Sequence, residues 1–75
     1  MIDLKDVRIT IQAARVNAGM TQDDLAKMWG ITATTVVAIE KGRSEPTMSQ
    51  LRLLSEKSGI PMDMIYVPEK PSTGN

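Results

Sequence analysis

Thr21–Gly42, TQDDLAKMWGITATTVVAIEKG, reads as two short helices joined by a tight glycine turn. The first, Gln22–Trp29, opens on a cap: the Thr21 hydroxyl can accept from the Asp24 backbone N–H, while the Asp24 carboxylate reaches back, a capping box with Asp in place of Glu. Asp23 and Asp24 occupy the first turn, where the helix dipole favours negative charge. Leu25, Ala26 and Trp29 fall at i, i+1 and i+4, on one face. Gly30 follows, where a backbone can take positive φ without a steric clash. Thr32 can cap a second helix, about Ala33–Lys41, whose inner face is Val36 and Ile39 and which Gly42 ends.

Two helices that cross steeply after so short a turn need a small residue where they touch, glycine in the turn, and apolar residues facing each other. Ala26, Gly30 and the set Leu25, Ile31, Val36 and Ile39 supply them, which is the helix-turn-helix pattern. At Gln22, Leu25, Ala26, Gly30, Ile31, Val36, Ile39, Glu40 and Gly42 the chain resembles the lambdoid phage repressor and Cro family, also called the xenobiotic-response-element family. The resemblance implies an all-α fold: a compact five-helix bundle of the lambda-repressor type, with the second and third helices forming the helix-turn-helix. It also implies double-stranded DNA as the partner.

Working outward, Ile2–Asn17 reads as the first helix, with Asp3 as N-cap and Asp6 in the capping-box position. Leu4, Val7, Ile11, Ala14 and Ala18 form its inner stripe, and Ile9 and Val16 lie off it. Gly19 closes it, and Met20 packs inward as a staple before Thr21. Lys41–Pro46 is a loop of turn formers. Thr47 and Gln50 begin a fourth helix, Met48–Ser58, with Met48, Leu51, Leu54 and Leu53 on its apolar face and Gly59 as its stop. A short last helix is expected over Pro61–Ile65, and no strand except at Ile65–Val67, which could pair with a symmetry mate. Residues 1–67 then form one domain, and 68–75, rich in Pro, Ser, Thr and Gly, read as a disordered tail.

With 75 residues the chain allows one domain, and with no Phe its core must come from Ile, Val, Leu, Met and one Trp. It has neither Cys nor His. Disulfides, thiol catalysis, Ser-His-Asp triads and the common zinc constellations are therefore excluded, and neither metal nor cofactor is expected. The carboxylates sit mostly at helix starts and surface positions, and no phosphate loop occurs, so an enzyme is not expected. No apolar run approaches membrane-spanning length, so a cytoplasmic protein without membrane contact is the expectation. Nine basic and nine acidic residues give zero net charge, unusual for a nucleic-acid binder, although Lys41 and Arg43 form a locally basic edge beyond the third helix.

The resemblance carries phosphate anchoring onto Gln22, Lys41 and Arg43, with Ser44 a weaker candidate, and base contacts onto Ala33, Thr34 and Ala38. It also implies that Arg15 pairs with Glu40 to fix the first helix against the third. The residues themselves add Val37, and Thr35 beside Thr34, to the outer face of the third helix. That face departs from the family pattern, since it holds no bidentate reader of guanine or adenine. It can touch thymine methyl groups, and it predicts a T-rich or shape-dependent half-site. So small a module needs a homodimer on a pseudo-palindromic operator, and Met62, Ile65, Tyr66 and Val67 are the candidate dimer surface. The expected function is a small repressor. The alternative is an antitoxin-type or other protein-interaction module that keeps the fold with weak or no DNA binding, its protein partner docking at Met62–Val67.

Overall fold

A computed structural model describes residues 8–67. Within them the order is β1 (Ile9–Thr10), α1 (Ile11–Asn17), α2 (Gln22–Trp29), α3 (Ala33–Glu40), α4 (Met48–Ser58), a single 3-10 turn (Met62–Met64) and β2 (Ile65–Tyr66). The domain is mostly helical, with a small sheet, and the caps fall where local side-chain chemistry puts them. Thr21, Thr32 and Thr47 each accept from the backbone N–H three residues on, and Thr21 and Thr47 complete capping boxes with Asp24 and Gln50.

The first helix is shorter than its apolar spacing suggests. It begins at Ile11, capped by Thr10, whose hydroxyl accepts from the Ala13 N–H at 3.0 Å. Thr10 itself is extended (φ −68°, ψ 159°), because Ile9 and Thr10 are committed to a parallel sheet. Ile9 pairs with Ile65 and Thr10 with Tyr66. The strand at Ile65 therefore finds its partner inside its own chain and not in a symmetry mate. The expected fifth helix contracts to one 3-10 turn for the same reason: Ile65 is already extended (φ −84°, ψ 119°), so no further turn can form. Among the described residues there are four α-helices. The expectations for Asp3, Asp6, Leu4, Val7 and the tail 68–75 fall outside the described residues.

The core draws on all four helices and on β2. Ile11 and Ala14 come from α1, Leu25, Ala26 and Trp29 from α2, Val36 and Ile39 from α3, Leu54 from α4 and Ile65 from β2. Leu25, Leu54 and Val36 are fully buried, each stabilising the fold by roughly 1.5–3 kcal/mol relative to exposure. The Trp29 indole N–H needs a partner at that depth and donates to the Gln50 carbonyl at 2.9 Å, tying α2 to the first turn of α4. The apolar face of α4 is narrower than expected. Leu51 and Leu54 make the contact, while Leu53 is 39% exposed and Met48, the first residue of the helix, stands 65% exposed beyond the packing.

Candidate nucleic-acid interface

The angle between α2 and α3 is set locally. Gly30 takes φ 71°, and the next N–H, of Ile31, turns back to the Ala26 carbonyl at 3.0 Å. This is the bond pattern that ends a helix through a left-handed residue. Two residues later Thr32 starts α3, accepting from the Thr35 N–H at 3.2 Å. At the start of α2 the Thr21 N–H donates to Asp24 Oδ2 at 2.9 Å, and this bond, above all, lowers the Asp24 pKa from its ordinary value. The protein's own carboxylate thus occupies part of the donor group that a helix N-terminus would offer an anion.

A buried polar network fixes the far end of α3. Arg15 Nε donates to Glu40 Oε2 at 2.6 Å, and Nη2 donates to Oε1 at 3.4 Å. The third guanidinium nitrogen, Nη1, donates to the Met20 carbonyl at 3.0 Å, in the turn between α1 and α2. The two side chains are only 10% and 5% exposed. Gln22 joins them, its Nε2 donating to Glu40 Oε1 at 3.0 Å. One carboxylate therefore gathers donors from α1 and α2 and holds α3 to both, with its lone pairs satisfied.

The outer face of α3 contains Thr34, Val37, Ala38 and Lys41, spaced i, i+3, i+4 and i+7. Thr34 is exposed, Val37 and Ala38 are half-buried, and Lys41 is exposed at the C-cap with helical backbone (φ −87°, ψ 0°). Ala33 is half-buried and packed against the core, so it sits at the edge of this face. Thr35 is exposed, but its hydroxyl is tied to the Thr32 hydroxyl at 3.0 Å. Beyond the helix, Gly42 takes φ 79°, which lets the Arg43 N–H reach the Ala38 carbonyl at 2.8 Å and folds the loop back under α3. Exposed Arg43 and half-buried Ser44 follow directly after Gly42, with Lys41 on its other side.

The residues expected at a dimer surface separate. Ile65 is 7% exposed and belongs to the core, because its pairing with Ile9 turns it inward. Met62 and Val67 are half-buried, and Tyr66 is 36% exposed. The Arg8 guanidinium lies 5.4 Å from the Tyr66 ring centroid, a contact across the outer side of the sheet that the sequence reading did not anticipate. Nor did it anticipate the Gln22 and Met20 contacts to the ion pair. A period-2 pattern at residues 7–11, Val-Arg-Ile-Thr-Ile, is the signal for the first. The second has no local signal.

Among the described residues no helix is long and apolar enough to cross a membrane. No group of three or more acidic, His or Cys side chains among them could hold a metal ion.

A family model described as Helix-turn-helix matches residues 11–65. An uncharacterized HTH-type transcriptional regulator of Methanocaldococcus jannaschii is 34% identical over 50 residues, which covers 67% of this chain and 76% of the relative. A second, from Methanothermobacter thermautotrophicus, is 40% identical over 42 residues, covering 56% of this chain and 61% of the relative. A third, from Archaeoglobus fulgidus, is 40% identical over 42 residues, with 56% and 60% covered. No solved structure matches with significance.

Proposed function

From the premise that the chain belongs to the helix-turn-helix family, in its lambda-repressor-like branch, and is a DNA-binding transcriptional regulator, we propose that it acts as a small repressor on a pseudo-palindromic operator, as a homodimer. The observation that carries this reading is the rigid presentation of α3. Its inner residues Val36 and Ile39 are buried, its far end is clamped by the Arg15–Glu40–Gln22 network, and its outer residues are small enough to enter a major groove.

In this reading the roles divide by chemistry. Lys41 and Arg43 bind phosphates at the end of α3, with the Ser44 hydroxyl beside them. Gln22 has a second amide N–H beyond the one given to Glu40, and it donates that to a phosphate at the start of α2. Thr34, Val37 and Ala38 face base edges, flanked by Ala33 and Thr35, and favour T-rich or easily deformed half-sites. Two copies associate through Met62, Tyr66 and Val67, and a pseudo-palindrome then requires their α3 helices at successive turns of one groove, about 34–36 Å apart.

Zero net charge favours one second reading, a protein-interaction module with weak or no DNA binding. Selection of bound sequences from a random duplex pool at stated salt, with the mass of the complex measured, separates the two. Repressor function predicts enrichment of a palindrome and a mass of two chains per duplex. No enrichment, together with stoichiometric capture of a protein, supports the module.

A further inference from the structure

We propose that the outer face of α3 recognises the C5-methyl group of pyrimidines, so that 5-methylcytosine substitutes for thymine and methylation of cytosine creates a binding site. The inference rests on the DNA-binding reading above and names the group that α3 reads.

The outward stripe offers a methyl-bearing hydroxyl at Thr34 and two purely apolar side chains at Val37 and Ala38. Neither apolar residue can satisfy the guanine N7 and O6 acceptors or the cytosine N4 donor. Pressing them onto an edge without a C5-methyl group strips polar groups of water and returns no apolar contact to offset the loss, which is unfavourable. A C5-methyl group is their natural counterpart, because it projects into the major groove and gains from the contact. Thr34 removes the remaining distinction between the two methylated pyrimidines. Its hydroxyl makes no hydrogen bond among the described residues and can donate to thymine O4 or accept from cytosine N4 equally well. The neighbouring Thr35 hydroxyl is already tied to Thr32 and adds no discrimination. Lys41, the only charged group on the stripe, is exposed one turn beyond Ala38, the end to which the proposed function assigns phosphate contact.

The test uses the full chain and the palindrome selected from the pool, prepared as matched duplexes. In one arm the thymines under α3 are replaced by deoxyuridine, which removes only the methyl groups. In the other, those A·T pairs become G·C, with the cytosines either unmodified or 5-methylated. The expected result is a loss of about fourfold in affinity per methyl removed, and a gain of similar size on methylating each cytosine. Val37→Ala, which keeps helix propensity, should shrink the thymine-to-uridine ratio at its own position while the helical circular dichroism persists. Should this variant unfold, the duplex arms on the unaltered chain still decide. Specific binding that ignores both methyl changes overturns the inference and leaves DNA binding intact. Failure to bind any duplex overturns the DNA-binding reading and the inference with it.

Discussion

Arg15 is the one charged residue buried as a whole among the described residues, and each of its nitrogens has a partner. An intact buried pair adds little net stability, but removing one side leaves a charge without compensation, at a cost of about 3–5 kcal/mol. Arg15→Ala should therefore lower unfolding stability by that order in urea titrations. Glu40→Ala should do the same, and the double variant should lose less than the sum. Strict additivity would contradict the clamp. Asp24 gives a second test, this one of sign. Its folded-state pKa lies below the ordinary 3.8, chiefly because it accepts from the Thr21 N–H. A depressed carboxylate adds stability that is present above its unfolded pKa and lost as pH falls through the folded one. Stability should thus decline as pH drops below about 4, and Asp24→Asn should remove part of that decline, as followed by thermal melts across pH.

At the scale of elements, the turn at Gly30 is held by backbone conformation alone. A Cβ built there meets no atom within 4 Å, so Gly30→Ala introduces strain at φ 71° and no clash. The expected loss is about 1–2 kcal/mol, read by chemical denaturation, and a neutral result would refute the account of the turn. Helices α2, α3 and α4 were legible in the sequence because capping is local: Thr21, Thr32 and Thr47 announce starts, and Gly30 and Gly42 announce stops. The sheet was not legible in the same way. Leu4, Val7, Ile11 and Ala14 fit a helical stripe, which hides the alternation of residues 7–11. What decides between the two periods is Ile65, at the far end of the chain, and a parallel pair carries no hairpin turn to advertise it. The same non-local contact moves Ile65 from an expected surface into the core. The candidate site divides likewise. The base-contact candidates Ala33, Thr34 and Ala38 came with the resemblance and Val37 with the exposed face of the helix, whereas the Gln22 bond to Glu40 depended on how α2 meets α3.

For the molecule as a whole, zero net charge means that attraction to DNA must come from where charges sit and not from their sum. Lys41 and Arg43 are cations at the C-terminal end of α3, next to its outer face. Lys41→Gln and Arg43→Gln should each weaken binding to all sequences alike and reduce the salt slope by about one. Tyr66→Glu should leave the fold stable, since Tyr66 lies on the outer side of the sheet, and should weaken operator binding by opposing dimerisation. Sedimentation of the free chain and of the complex would show whether two copies are lost together. The most direct test of the central claim, that α3 presents a sequence-reading face to duplex DNA, is one titration. Affinity is measured for the selected palindrome and for a scrambled duplex of equal length, across a range of salt. The palindrome should bind tighter by about a thousandfold or more, with log K falling linearly against log salt for both. Equal, weak affinity for the two duplexes would contradict it.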